Sequence, residues 1–427
     1  MSASLMLSVI TFLAWTLAAL VSRSLSDVAT QSTAVWLAPG VTFGLLLAVK
    51  SGNRLAVLLG TAAAALCLAL LGGMPFLQAL SLTAIELIGP AAGVWLALQL
   101  CASADGHPHP GRAYAGVVLG ALVTAVVGAS LAVMAWNWLL PQQIALATEW
   151  RVWVVSTFVG ILLVAPVAST LTRLRIKRSG GMPAPQFLAG SFTLLLFFAV
   201  ATLIFSSDVS DRFGASLGPT LAYLPLPFMV VTAILWKERG SALATLAGAL
   251  ALMAWTSAGG GPFAEIEAFP GEAVIEVQGY VAVMALLVGM VNALGAVKTL
   301  ALQEAHDWRT RYTQVLASNR TFVVSFDAQT GQAEWGEEAT EFLRTDTAAL
   351  LTIMDVITHA DLEAQSAMQA DWRDLRQGQR EHVLWNTALR WADGCVASIS
   401  ARLSSVRGAD GQVEQVAGLI EVQRTAS

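Results

Sequence analysis

The stretch AVIEVQGYVAVMALLVGMVNALGAVKTLALQEAHDWRTRYTQVL, Ala273 to Leu316, divides the chain into two unlike parts. Its first half is apolar enough to cross a bilayer. Its second half is charged and amphipathic, and no Gly or Pro interrupts it after Gly295. At a helical rise of about 1.5 Å per residue, roughly 44 residues span about 66 Å, twice the ~30 Å hydrocarbon core. One helix is therefore expected to leave the membrane and continue into water.

Composition agrees with that division. Of the 53 charged residues in the 427-residue chain, 24 fall in residues 1–300 and 29 in the remaining 127. The first part is far below the ~25% charge of a soluble domain, and the tail is ordinary for one. The tail is acidic by seven charges (11 Lys+Arg against 18 Asp+Glu), which argues against nucleic acid as its partner. Cys67, Cys101 and Cys395 are scattered and odd in number, so neither a disulfide framework nor a zinc site is expected. The opening MSASLMLSVITFLAWTLAALV lacks a basic segment before its apolar run and reads as a retained first helix.

Before residue 300, apolar runs fall at about 4–21, 34–49, 54–72, 76–100, 112–135, 152–172, 188–205, 221–236, 240–256 and 273–300. They predict ten helices. The second, eighth and ninth are short for a ~20-residue span, which leaves eight full spans plus re-entrant pieces open. On alternate loops, one side carries Lys50, Arg54, Arg112, Arg173, Arg175, Lys177, Arg178, Lys237 and Arg239, and the other Arg23, Arg151 and Arg212. The excess of basic residues places the first side, with both termini, in the cytoplasm. Trp136, Trp138, Trp150 and Trp153 flank an outer loop as an interfacial aromatic belt would.

Ionisable groups within hydrocarbon face a cavity or a partner. Glu86, in LTAIELIGPAAG, is the clearest example. It reads either as a ligand, ion or proton site or as a packing residue beside the Gly89-Pro90 kink. Gln278 and Asn292 are expected to make interhelical hydrogen bonds.

Three patterns occur in order: VWLAPGV (Val35–Val41), WVVSTFVGILLVAP (Trp153–Pro166), and WKERGSA (Trp236–Ala242) followed by GGGPF (Gly259–Phe263). Together they resemble the MASE family of the first type, a bacterial membrane-associated sensor domain, over roughly residues 5–300. The resemblance implies an all-α polytopic domain of about 8–10 transmembrane helices in the bacterial inner membrane, surrounded by lipid. It adds Trp36, Pro39, Gly40, Trp153 and Pro166 to Glu86 as candidates for receiving the signal. Many members are expected to carry an acidic residue just before the Gly of the sixth helix, where this chain has Ser156 and Thr157. A transporter is the competing reading, although the halves show no internal repeat of the kind transporters use.

Past Leu300, Lys298, Ala301, Ala305, Trp308 and Tyr312 continue a heptad-like seam from Val291 and Leu294 to Val315. The seam reads either as a parallel two-helix stalk in a homodimer or as one helix packing on its own tail. The tail itself alternates as an α+β domain does. TFVVSFDA and QAEWG form a hairpin, EEATEFLR and DVITHADLEAQSAMQADWRDLRQG read as helices, and residues 382–423 read as three strands turned at Asp393-Gly394 and Asp410-Gly411. This order, with IThADLE (Ile357–Glu363), resembles a small cytoplasmic PAS domain. The expected organisation is membrane domain 1–300, helical linker 301–318 and PAS-like domain 319–427.

No cofactor is required. Cys395 lies on a hairpin, outside a flavin-photosensor motif, and His359, at the start of a helix, reads as a cap or surface residue and not as a haem ligand. His306 reads as a solvated residue of the linker. The chain carries no GGDEF run, no Glu-Ala-Leu signature, no kinase box, no P-loop and no nucleophile elbow, so no enzymatic activity is expected. The two resemblances imply a sensor that passes its signal to a separate cytoplasmic kinase or cyclic di-GMP enzyme. A truncated sensory half of such an enzyme is the alternative.

Overall fold

The computed structural model describes residues 3–25, 34–102, 109–139, 146–171, 182–206, 218–263, 272–343, 350–391, 396–408 and 411–423. Two compact units, Met1–Leu300 and Ala301–Ser427, divide the chain.

The first unit is helical. Its elements are α1 (Ala3–Ser24), α2 (Ala38–Ala48), α3 (Arg54–Leu71), α4 (Phe76–Cys101), α5 (Pro110–Leu139), α6 (Leu146–Leu171), α7 (Ala184–Phe205), the single turn α8 (Gly218–Leu221), α9 (Leu226–Ser257) and α10 (Glu272–Ser318). Eight helices among the described residues are long and apolar enough to cross a membrane.

Three of the ten expected helices change character. The run at 34–49 is a helix only from Ala38, for 11 residues, and Ala34–Leu37 enters it in non-helical backbone. Pro39 suits this boundary: it lies in the first turn of the helix, where its missing N–H is not needed. The runs at 221–236 and 240–256 join as α9, which doubles back at Lys237, a non-glycine residue with φ 56°. Thr193 of α7 bonds Thr232 on the first arm at 2.9 Å. A Cβ built on Gly248 of the second arm would lie 2.8 Å from Met229 Cε on the first. Those residues are 19 apart in sequence, so the arms lie side by side as a helical hairpin; a straight helix would separate them by about 28 Å. Trp236 closes the turn, stacking on Phe187 and donating to the Phe187 carbonyl at 3.2 Å.

Without a hydrophobic difference between helix and lipid, membrane helices associate through close backbone approach at small residues. Here α4 and α5 meet along Gly89, Gly93 and Ala97 on one side and Gly116, Gly120 and Thr124 on the other. A side chain at Gly93 would overlap the Thr124 hydroxyl and the Gly120 carbonyl. The same device joins α2 to α6: Gly40 faces Gly160 and Val164, and Gly44 faces Ala165 and Ala168. The pairs rise together in number, so α2 and α6 run in the same direction. Asn292 of α10 donates to Ser241 Oγ at 2.8 Å, an interhelical bond of the kind expected.

The second unit contains a five-stranded antiparallel sheet in the order β2-β1-β5-β4-β3. The strands are β1 (Thr321–Asp327), β2 (Ala333–Trp335), β3 (His382–Arg390), β4 (Val396–Arg407) and β5 (Val413–Val422). Between β2 and β3 lie α11 (Ala339–Leu343), α12 (Ile353–His359) and α13 (Leu362–Arg376). This is the small α+β, PAS-like arrangement that the alternation predicts. Residues Phe322, Val324 and Phe326 alternate inward from β1 and meet Trp335, Trp372 and Ile420 in one core. The helix expected over 355–378 is broken at Ala360, whose backbone bridges to Leu389 of β3. His359 thus closes α12, its Nδ1 2.7 Å from the Asp355 carbonyl, and does not open a helix. Asp393, Gly394, Cys395 and Asp410 lie outside the described residues; Gly411 has φ 80°, as a tight turn requires.

Two outcomes test this packing. Gly93→Val should lower the thermal midpoint of the detergent-solubilised chain by the equivalent of about 1–3 kcal/mol, whereas Gly279→Ala, with nothing within 4 Å of its built Cβ, should leave it unchanged. In the tail, the Thr352 hydroxyl and N–H both donate to Asp355 Oδ2 at 2.8 Å, and the Asp355 N–H donates back to Thr352 Oγ1 at 3.3 Å. The Thr352 side chain, then its backbone N–H, hold the Asp355 carboxyl below the usual range. A depressed folded value gives stability that is present above the unfolded pKa, about 3.9, and lost as pH falls through the folded one. Thr352→Ala should remove about 0.5–2 kcal/mol at neutral pH and flatten that acid limb in a pH series of chemical denaturation.

Candidate functional site

Non-helical backbone at membrane depth persists only where protein or a water-lined cavity satisfies its polar groups. Three separate helices satisfy backbone groups of Ala34–Leu37, and its Trp36 side chain bonds a fourth. The Gln278 side-chain amide of α10 donates to the Ala34 carbonyl at 2.7 Å. The Trp36 N–H donates to the Ser156 carbonyl of α6 at 3.1 Å. The Leu37 N–H donates to Ser22 Oγ of α1 at 2.9 Å. The Trp36 indole N–H donates to Glu86 Oε1 of α4 at 2.7 Å. Gly160 lets this segment approach α6, because a Cβ there would overlap the Trp36 carbonyl.

Glu86 lies near the middle of α4 with 2% of its surface exposed. The Trp15 indole N–H of α1 faces the same carboxyl without reaching full hydrogen-bond geometry. Trp15 Nε1 and Glu86 Oε2 are thus both buried polar atoms with no hydrogen-bond partner among the described residues. The Trp15 and Trp36 rings meet edge to face at 6.2 Å, a preferred aromatic arrangement. Two indoles from distant parts of the chain therefore surround one carboxyl. Such a site can accept a proton, a water or a small donor, and no cation among the described residues faces its acid.

The sequence-derived candidates separate into groups. Glu86 and Trp36 are in direct contact. Pro39 and Gly40 open α2 directly after the clamped segment, both buried. Trp153 lies one turn before Ser156, its ring 4.9 Å from that of Trp136. Pro166 lies inside α6, in the Ala165–Ala168 stretch that packs on Gly44. Lys298, Ala301, Ala305, Trp308 and Tyr312 all lie on α10 and are exposed. Three participants were not singled out from sequence: Trp15, Ser22 and Gly160. Gln278 was expected to bond another helix and instead bonds the extended segment. The Ser156–Thr157 pair, where an acid was expected, contributes a backbone carbonyl, and Thr157 Oγ1 is buried without a partner among the described residues.

A bundle of apolar helices around an interrupted segment, with one buried acid among the described residues, defines a multi-pass membrane protein with a candidate sensory centre. The chain belongs to the MASE1 family, whose pattern it matches over residues 6–296. No curated protein matches it. Three solved structures are similar at the tail. The N-terminal domain of a diguanylate cyclase with PAS/PAC sensor from Marinobacter aquaeolei is 17% identical, with 24% of this chain and 94% of that one covered and a TM-score of 0.23. A domain of a histidine kinase from Haloarcula marismortui, described as light and redox sensing, is 13% identical, with 27% and 99% covered and a TM-score of 0.23. An RNA-binding light-oxygen-voltage receptor is 21% identical, with 25% and 31% covered and a TM-score of 0.21.

The Trp36–Glu86 bond is testable by a double-mutant cycle. Trp36→Phe keeps the ring against Trp15 but leaves Glu86 Oε1 unpaired, a loss of about 1–3 kcal/mol. In a Glu86→Leu background the same substitution should lose most of its effect on the thermal midpoint.

Proposed function

We propose that this chain is a membrane-embedded sensor and adaptor. It responds to a periplasmic or in-membrane cue and relays the response through α10 to its PAS-like domain and a separate cytoplasmic signalling protein, a kinase or a cyclic di-GMP enzyme. It carries no catalytic step itself. It resides in the bacterial inner membrane with both termini in the cytoplasm. The observation that carries this reading is α10. A single helix of 47 residues begins beside the clamped segment, where Gln278 holds Ala34, and continues to Ser318, three residues before β1.

The exposed part of α10 has the pattern of a dimer stalk. Leu294, Lys298, Ala301, Ala305, Trp308, Tyr312 and Val315 alternate at spacings of four and three, and Trp308 is 71% exposed and Val315 60%. Large apolar groups on one stripe of a charged helix favour a second copy of the same helix. In the parallel arrangement, Glu304 stands just before the Ala305 slot and Arg309 just after the Trp308 slot. Those are the flanking positions whose opposite charges pair between strands. Lys298 and the two alanines weaken the seam. A weak seam allows two packings of similar energy, which a switch requires.

Leucine at Lys298, Ala301 and Ala305 together should lock the output in one state. Full-length chain in nanodiscs should capture a kinase or cyclic di-GMP enzyme in a cue-dependent way, and the triple variant should capture it to a fixed extent. Capture that remains fully responsive would remove the stalk as transmitter, and the absence of any such partner would remove the adaptor reading.

A further inference from the structure

We infer that Glu86 is a proton-uptake site whose state is passed to α10 through Trp36, the Ala34 carbonyl and Gln278. The first half of this inference rests on the geometry alone. Only its second half rests on the sensor reading, which makes α10 the output.

The carboxyl is enclosed at mid-helix, and the polar groups facing it are the two indole N–H groups of Trp36 and Trp15. The titratable groups on the surrounding helices lie within about two turns of a helix end. They are Arg23 on α1, Arg54 and Cys67 on α3, Cys101 on α4 itself, Arg112 and Tyr114 on α5, Glu149 and Arg151 on α6, and Glu276 on α10. Lys298 lies beyond the clamped region on the exposed part of α10, and Tyr280 faces Phe205 and Phe263. An ionised carboxylate in hydrocarbon without a facing cation is held only by hydrogen bonds, and buried charge of that kind readily gives way to the neutral form.

The two forms differ in what they ask of the indoles. As a carboxylate, Glu86 accepts on both oxygens, so Trp36 and Trp15 can both donate. When Oε2 takes a proton from water it becomes a donor, and the Trp15 N–H then faces a donor. The O–H bond formed on Glu86 replaces one broken in hydronium, which leaves as water, and release reverses the exchange. The present arrangement has Trp36 bonded and Trp15 unbonded, which leaves room for either change. Any shift of the Trp36 ring bears on the same short segment whose Ala34 carbonyl receives Gln278. Gln278 is fully buried, its Oε1 is without a partner among the described residues, and it sits on the helix that leaves the membrane unit.

The test uses the full chain in proteoliposomes, without any partner. Infrared difference spectra on acidification should show, above the carboxyl signal common to both proteins, one C=O stretch of a protonated carboxyl that is absent in Glu86→Gln. Glu86→Asp keeps the acid and should return the band at a shifted frequency, which separates loss of the group from loss of folding. A spin label at Leu302→Cys, with the native cysteines replaced, should change mobility over the same pH interval. Gln278→Leu should keep the band while abolishing the mobility change. A band that persists in Glu86→Gln, or no band in the wild-type chain, would overturn proton uptake at this site. A mobility change that persists in Gln278→Leu would overturn the route to α10. Success of both arms with no partner found would leave the proton site standing and sink the adaptor reading instead.

Discussion

Unpaired backbone groups cannot be left in hydrocarbon, and the membrane domain is arranged around one place where a helix fails to supply the pairing. Ala34–Leu37 is that place. Its carbonyl and N–H groups are satisfied by Gln278, Ser156 and Ser22, from three helices, while its Trp36 side chain satisfies Glu86 on a fourth. Gly160 and Gly40 allow the close approach those bonds require. The interruption therefore ties together parts of the chain that are more than 200 residues apart, and any change at one helix is felt by the others.

This geometry gives physical content to the idea of a sensor. A continuous rigid bundle would have no discrete alternative arrangement. Here a short segment is held by a few hydrogen bonds beside an acid with one oxygen bonded and the other without a partner among the described residues, and a switch needs two arrangements of similar energy. The last helix begins in contact with that segment and ends beside the first strand of the PAS-like unit. Its exposed stripe combines large apolar groups, Trp308, Tyr312 and Val315, with Lys298, Ala301 and Ala305.

Much of the architecture was legible in the sequence because it follows from local pattern. Apolar runs gave the helices, although the run at 34–49 did not show that α2 begins only at Ala38, and alternation through Phe322, Val324 and Phe326 gave β1 its inward face. Glu86 was visible because a lone acid in an apolar run is rare. Its partners were not, since Trp36 lies 50 residues away and nothing local to either residue encodes the bond. The same holds for Gln278 and Ala34, 244 residues apart. The α9 hairpin was half legible: the two short runs were seen, and the sharp reversal at Lys237 depends on Trp236 docking against Phe187 and Gly190. The break at Ala360 had a local signal in Asp361, which stands at the N-cap position of α13, but the bridge from Ala360 to Leu389 is encoded by nothing near it in sequence.

The central claim is that the phase of α10, and not merely its presence, carries the state of the membrane domain. Insertions after Ala305 in the full-length chain test this most directly, with cue-dependent capture of the cytoplasmic partner as the readout. A full heptad lengthens the helix but keeps the seam in register, while a two-residue insertion rotates everything beyond it by about 200°. The account predicts that the heptad insertion remains responsive and the two-residue insertion does not. Equal responsiveness of both would contradict it.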